Sequence, residues 1–200
     1  MSTSNGSMQA ALLYGPRHVA LERMPMPTLG ATDVLVRIEA ATTCGTDLKV
    51  FLQGGHARMI TPPAVFGHEF SGTIVQIGAG VQHFREGMRV VANNSAPCYR
   101  CYYCRRNLPN LCDDLLFING AYAEYIVVPE RVVHTNLLEI PAALPCAVAC
   151  LTEPLACVLH CLDQATLHPG DTVVVNGDGP PSIGSHASSA SASSPSRGPS

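Results

Sequence analysis

The sequence carries little charge. Only 14% of its 200 residues are charged, against about 25% in ordinary globular proteins, and the net charge is −3. Lys49 is the only lysine among the 12 basic residues. A surface that binds nucleic acid needs a clustered excess of basic side chains, so a nucleic-acid partner is excluded.

Long apolar runs and targeting segments are lacking as well. No stretch of about 18 residues is free of both charge and proline, which excludes a transmembrane helix. Residues 1–7 are polar and lack the basic and apolar regions of a secretory signal. We therefore expect a disordered leader and a cytoplasmic protein with no membrane partner. Its nine cysteines are then expected to be reduced thiols or metal ligands rather than disulfides.

Residues 8–142 are predicted to form a β-domain. Gly and Pro separate short runs rich in β-branched residues, a pattern typical of a barrel or sandwich. The predicted strands are Gln9–Tyr14, Val19–Arg23, Val34–Ala40, Phe70–Ile77, Met88–Ala92 and Ala123–Val128.

The remainder of the chain is predicted to differ in character. Residues 143–180 should hold a linking helix, Leu144–Leu162, and the first strand of an incomplete α/β domain, Thr172–Asn176. Residues 181–200 contain nine serines and a single large apolar side chain. Such a composition cannot offset the entropy of ordering, so we expect a disordered low-complexity tail.

The strongest chemical signal is a group of four cysteines with the spacing Cys98-x2-Cys101-x2-Cys104-x7-Cys112. Four thiolates can enclose a tetrahedral Zn²⁺ and leave no open position, which is typical of a structural site. Free thiols and an iron–sulfur cluster are the alternatives. The cluster is disfavoured because the fourth cysteine is not followed by proline and because other zinc-type residues are present.

Those other residues lie in two separate segments, Cys44-Gly45-Thr46-Asp47 and Gly67-His68-Glu69. A thiolate, an imidazole and a carboxylate are ligand types of a catalytic zinc, which keeps one coordination position open. Each element alone is weak, since the sequence has eight histidines and most histidines bind no metal.

Five segments in a fixed order resemble one family. They are Cys44–Asp47, Gly67–Gly72, the four-cysteine segment, Gly120–Tyr125 and Glu153–Ala156. Together they are similar to the zinc-dependent medium-chain dehydrogenase/reductase family, on its polyol- and threonine-dehydrogenase side, over about residues 8–180. The resemblance implies a GroES-like β-domain followed by a Rossmann domain for NAD or NADP. It also implies an alcohol or polyol as substrate and a homo-oligomeric complete enzyme.

The resemblance implies a role for several residues. Cys44 and His68 become ligands of a catalytic zinc, with Glu69 as a ligand or in exchange with water, and Glu153 as the residue that holds the metal directly or through water. Cys150 is a less favoured substitute for Glu153. The resemblance does not decide between Glu69 and Glu153 as third ligand.

Thr46 is a candidate for moving the proton that an alcohol loses before hydride transfer. A hydroxyl two residues from Cys44 can accept that proton. Many relatives continue the relay with a histidine at the position of Lys49, so the relay is interrupted here unless His56 substitutes. We expect Lys49 to be a solvated surface residue.

Four cysteines near the C-terminal helix have a different interpretation. Cys146, Cys150, Cys157 and Cys161 fall on one stripe of a single helix, and free cysteines are often buried. We expect them to pack in a core rather than to form a second metal cluster.

Gly177-Asp178-Gly179 resembles the start of a dinucleotide fingerprint, in which the first glycine gives the tight turn and the second lets the backbone approach the pyrophosphate. The third glycine is expected at position 182, which is Ser182. No second strand is found that would carry the acidic residue for the ribose, so NAD cannot be distinguished from NADP. We hypothesise that the tail arises from a shifted reading frame in a GC-rich gene.

Two functions remain open at this point. The first is a zinc-dependent alcohol or polyol dehydrogenase that transfers hydride from a zinc-bound secondary alcohol to NAD(P), with this chain an incomplete and inactive form. The second is a non-catalytic zinc-binding module. A zinc-ribbon nucleic-acid binder is disfavoured by the acidic charge balance.

Overall fold

The computed structural model describes residues 6–165, 168 and 170–174. The chain divides between Cys150 and Leu151 into two compact units. The sequence-based boundary of the β-domain, at residue 142, lies before this division. Within the described residues, no helix has the length and apolar character needed to cross a bilayer.

The first unit contains ten strands among its described residues, and every pairing between them is antiparallel. They are β1 (Ser7–Gly15), β2 (His18–Pro25), β3 (Val34–Thr42), β4 (Ala64–Val65), β5 (Glu69–Ile77), β6 (Arg89–Ala92), β7 (Ser95–Ala96), β8 (Leu116–Phe117), β9 (Tyr125–Val128) and β10 (Leu137–Glu139). They form sheets in the orders β2-β1-β4, β10-β6-β5-β3-β9 and β7-β8. All six predicted strands are present, and the mainly β fold is confirmed.

The main core lies on the five-stranded sheet. β3 and β5 are the central pair, and their apolar side chains are fully buried at Val34, Val36, Phe70 and Ile74. The β-branched residues at these positions favour the extended backbone and pack well on a pleated surface.

Three α-helices form among the described residues of the first unit: α1 (Gly45–Gln53), α2 (Glu130–Thr135) and α3 (Cys146–Ala149). α1 is not among the elements predicted from the sequence, although its caps are well formed. Cys44 is the extended N-cap residue, and Gly54 follows the helix as its C-cap, with a φ of 80° in the left-handed region that glycine accepts.

The predicted single helix Leu144–Leu162 is wrong in its continuity. α3 ends at Ala149, and a second helix, α4 (Thr152–Gln164), begins in the second unit. Pro154 explains the break, because proline lacks the N–H that a continuous helix would need there but is tolerated in the first turn of a new one.

This break also corrects the interpretation of the four cysteines as one buried stripe. Cys146 and Cys150 are buried in the first unit, whereas Cys157 and Cys161 are exposed on α4. The two pairs lie on different helices, so they do not share one face.

Three further expectations concern the ends of the chain. The predicted disordered leader, residues 1–7, extends one residue too far, because Ser7 belongs to β1 and pairs with Pro25. Thr172, Val173 and Val174 form no strand within the described part, and the rest of that predicted strand lies outside it. The tail 181–200 also lies outside the described residues.

Candidate metal centres

The backbone brings Cys44 and His68 together through the pairing of β3 with β5. Thr42, the last residue of β3, is the register partner of Glu69, the first residue of β5. Cys44 follows β3 by two residues and His68 immediately precedes β5. The two segments therefore meet at one end of the sheet.

Cys44, His68 and Glu69 form a group whose ligand atoms all lie within 4.8 Å of one another. His68 and Glu69 are each 3% exposed, and Cys44 is half-buried. The Thr42 hydroxyl donates to Glu69 Oε2 over 2.5 Å, which orients the carboxylate. A thiolate, an imidazole and a carboxylate at this separation fit Zn²⁺ with an open position.

Asp47 orients the histidine of this group. Its Oδ1 lies 3.0 Å from Nδ1 of His68, and Asp47 is itself only 2% exposed. A histidine that binds a metal through one ring nitrogen usually donates the other N–H to a carboxylate or carbonyl. The contact therefore leaves Nε2 of His68 for the metal.

The pKa values agree with this pairing. Burial lowers the pKa of His68, but the contacts with Asp47 and Cys44 outweigh it and raise the pKa to about 9. Burial raises the pKa of Asp47, but the hydrogen bonds from His68 and from the Cys44 backbone bring it below its ordinary value. Without a metal, the two side chains form an ion pair at neutral pH.

Cys44 and Asp47 form reciprocal caps at the start of α1. The Cys44 N–H donates to Asp47 Oδ2 over 3.0 Å, and the Thr46 N–H donates to Cys44 Sγ over 3.1 Å. The two hydrogen bonds hold the Cys44 side chain at the N-terminus of the helix. Thr46 is half-buried in the first turn, next to this sulfur.

The second group joins Cys98, Cys101, Cys104 and Cys112, and its sulfur atoms also lie within 4.8 Å of one another. Two short 3-10 turns, Cys104–Arg106 and Pro109–Leu111, fold the segment back on itself. Backbone N–H groups of Cys104 and Asp113 lower the pKa of Cys101 to about 6, so a thiolate is present at neutral pH. Four sulfur ligands fit a closed structural zinc site.

The other predicted site residues have different outcomes. Glu153 lies on α4 in the second unit, and its role as a ligand stays a prediction. Gly177 and Gly179, predicted to contact the cofactor, lie outside the described residues. Lys49 is exposed, as expected.

Sequence reasoning gave no role to two residues that the structure places at the metal group, Asp47 and Tyr122. Asp47 lies in the segment Cys44–Asp47, and Tyr122 lies in the segment Gly120–Tyr125. The spacing of Asp47 three residues after Cys44 matches a capping box, and this signal could have predicted the start of α1 and the capping role of Asp47.

Comparison with known proteins finds a matching family model and similar dehydrogenases. Residues 30–142, more than half of the chain, match the family model of the alcohol dehydrogenase GroES-like domain. L-threonine 3-dehydrogenase of Xanthomonas campestris pv. campestris is 36% identical over 165 residues, covering 80% of this chain and 47% of that protein. Sorbitol dehydrogenase of Bacillus subtilis is 31% identical over 180 residues, covering 87% of this chain and 50% of that protein.

A solved structure from Escherichia coli CFT073, described as a short chain alcohol dehydrogenase in complex with NADH, superimposes with a TM-score of 0.78. It is 31% identical, and the match covers 90% of this chain and 52% of that one. The chain thus spans about half the length of the curated relatives it matches. Given a family match over more than half of its residues, the chain belongs to the alcohol dehydrogenase GroES-like domain family.

Proposed function

We propose that this chain supplies the metal-binding part of a zinc-dependent oxidoreductase that moves a hydride between a secondary alcohol or polyol and NAD(P). The observation that carries the proposal is the group of Cys44, His68 and Glu69, with His68 held by the buried Asp47. The relatives named threonine and sorbitol dehydrogenase support the same class of reaction.

Zinc bound at this group would act as a Lewis acid that acidifies an alcohol and polarises a carbonyl. The residues of the chain have separate tasks. Cys44 and His68 hold the ion, with either Glu69 or Glu153 as the third ligand, and Asp47 fixes the ring of His68. Thr46, next to Cys44 in the first turn of α1, takes up the proton that the alcohol loses.

The proton transfer by Thr46 can be tested in a version extended through a whole nucleotide-binding domain. Thr46→Val keeps the side-chain volume but removes the hydroxyl. We expect unchanged zinc content and a rate of alcohol oxidation lower by roughly 10²–10⁴-fold, the usual worth of positioned proton transfer. An unchanged rate, with hydride transfer shown to be limiting, would exclude Thr46 from this role.

For the 200-residue chain itself, we propose metal binding without dehydrogenase activity. The fingerprint Gly177-x-Gly179 departs from the dinucleotide pattern at Ser182. Hydride transfer needs a nicotinamide held close to the reacting carbon, so a chain without this cradle cannot position it. This observation also favours the second candidate function, a zinc-binding module.

Self-association of the chain is a further part of the proposal. Leu151, Leu155 and Leu159 recur every four residues at α4 and are between 46% and 49% exposed. Apolar side chains grouped on one helix face promote association. We expect oligomers by light scattering, and a cytoplasmic homo-oligomer for the complete enzyme.

Cobalt substitution distinguishes the two candidate functions. The visible bands of Co²⁺ report the number and kind of its ligands, so the two sites give separate signals. If the group at Cys44 has an open position, a secondary alcohol or polyol should shift its bands and leave those of the four-cysteine site unchanged. Bands that respond to no alcohol or aldehyde would favour the module. A parallel NAD(P)H titration should show no saturable binding.

A further inference from the structure

Tyr122 places its hydroxyl between the segment that precedes Cys44 and the buried carboxylate of Asp47. The hydroxyl oxygen lies 2.8 Å from Thr43 Oγ1, 3.1 Å from the Thr42 carbonyl oxygen and 3.1 Å from Asp47 Oδ2. These neighbours come from the end of β3 and from α1. A single side chain thus joins the two elements on either side of Cys44.

The ring of Tyr122 is held independently of these contacts. It packs edge-on against Phe66, with ring centroids 5.3 Å apart and an interplanar angle of 86°. The Tyr122 N–H donates to the Phe66 carbonyl over 2.9 Å, and the Tyr122 carbonyl accepts from Ala11 over 2.8 Å. Gly67 lies directly beneath the ring. These contacts fix the position of the Tyr122 ring, so the position of its hydroxyl does not depend on Asp47.

Asp47 accepts hydrogen bonds at both oxygens. Oδ1 accepts from Nδ1 of His68, and Oδ2 accepts from the Cys44 N–H. An ionised carboxylate is an acceptor with room for further donors, and one that is 2% exposed has little water to supply them. The Tyr122 hydroxyl supplies a third donor. Unlike the donors of His68 and Cys44, it comes from a residue outside the segments that carry the metal ligands.

The single proton of the Tyr122 hydroxyl goes to Asp47. Two of its neighbours can only accept, the Thr42 carbonyl and the Asp47 carboxylate, and a hydrogen bond to an ionised acceptor is the stronger one. The Thr43 hydroxyl can then donate to the Tyr122 oxygen. Burial and the charge of Asp47 raise the pKa of Tyr122 despite the opposing hydrogen bond with Thr43, so the hydroxyl keeps its proton.

We propose that Tyr122 is a positioning residue for the metal site at Cys44, His68 and Glu69. Its hydroxyl holds the Asp47 carboxylate in the orientation that engages Nδ1 of His68 and keeps Nε2 directed at the metal. The inference rests on the metal site of the proposed function, but it concerns affinity for the ion and makes no use of hydride transfer.

Tyr122→Phe tests this directly, because it keeps the ring and removes only the hydroxyl. Loss of a group that orients a metal ligand typically lowers metal affinity about 10–100-fold. Since Tyr122 acts through Asp47, we expect a loss near the lower end, about tenfold, at this site. The four-cysteine site, in the same molecule, should keep its affinity.

Tyr14→Phe is the matched control. The Tyr14 hydroxyl donates to Glu22 over 2.7 Å, on the sheet formed by β1, β2 and β4. This variant also removes a tyrosine–carboxylate hydrogen bond, but neither residue belongs to either metal group. Both zinc affinities should match those of the wild type.

The measurement is a competition titration of Zn²⁺ against a chromophoric chelator, with Co²⁺ spectra recorded in parallel. We expect Tyr122→Phe to shift the bands of the weaker Co²⁺ site, which a purely packing role of the ring would leave unchanged. Affinity within twofold of the wild type and unaltered bands would overturn the inference. Equal losses at both sites would also overturn it, since they would indicate a general effect on folding. If the wild type binds metal only at the four cysteines, the proposed function fails and the inference fails with it.

Discussion

Gly67 offers a test of how tightly the Tyr122 ring packs beside the metal site. Its φ of +81° lies in the left-handed region, and a Cβ atom there would lie 2.6 Å from Cδ1 of Tyr122. Gly67→Ala should therefore carry two costs. The left-handed backbone costs about 1–2 kcal/mol for an L-residue. Displacing a packed ring adds about 1–3 kcal/mol.

Gly87 separates these two costs. It has nearly the same backbone, with a φ of +85°, but an added Cβ would meet no atom within 4 Å. Gly87→Ala should lower the free energy of unfolding by the backbone cost alone, about 1–2 kcal/mol. Gly67→Ala should lower it by about 2–5 kcal/mol, the two costs together.

The assay is urea unfolding of the zinc-loaded chain, followed by far-ultraviolet circular dichroism. A double-mutant cycle with Tyr122→Ala then measures the contact directly. Without the ring, Gly67→Ala should cost no more than Gly87→Ala. If Gly67→Ala costs the same with and without the ring, the reasoning from the close approach is refuted.

Three further results are expected. Cys101→Ser should lose one of two zinc equivalents by elemental analysis, because a closed site needs all four thiolates; retention of both would contradict the assignment. Zinc affinity at the His68 site should rise about tenfold per pH unit up to about pH 9, because the metal must displace one proton from His68. This slope counts the proton of His68 only. If zinc affinity measured by chelator competition levels off near pH 6.5, the pairing of His68 with Asp47 is disproved. The raised pKa of His68 also stabilises the metal-free fold below pH 6.5, and this stabilisation is lost as the pH rises through about 9. Phe70→Ala, at a fully buried position, should cost about 3–5 kcal/mol in urea unfolding, whereas Leu21→Ala, at a residue 70% exposed, should cost much less.

The sequence predicted the strands well because their residues favour one backbone conformation locally. Val34, Val36 and Ile74 are β-branched, and Gly and Pro mark the turns between strands. The family motifs identified Cys44 and His68 as candidate ligands, because five characteristic segments occur together in one fixed order.

The roles of Asp47 and Tyr122 could not be predicted in the same way. They depend on the register that pairs Thr42 with Glu69, which brings together segments more than 20 residues apart. A buried carboxylate is recognised only when its donors are known, and those donors come from three separate elements. The break between α3 and α4 is different, because Pro154 already indicated it in the sequence.

The pairing of Thr42 with Glu69 has a consequence for how this domain can diverge. The ladder between β3 and β5 holds both ligand-bearing segments, so the connection between them is not needed to keep Cys44 beside His68. Ala57 and Arg58, which are exposed in this connection, can then change while Ile60 stays buried in its core cluster and both ligands stay in place. Natural variation, or a designed library, should therefore be tolerated at these exposed positions with little effect on zinc affinity.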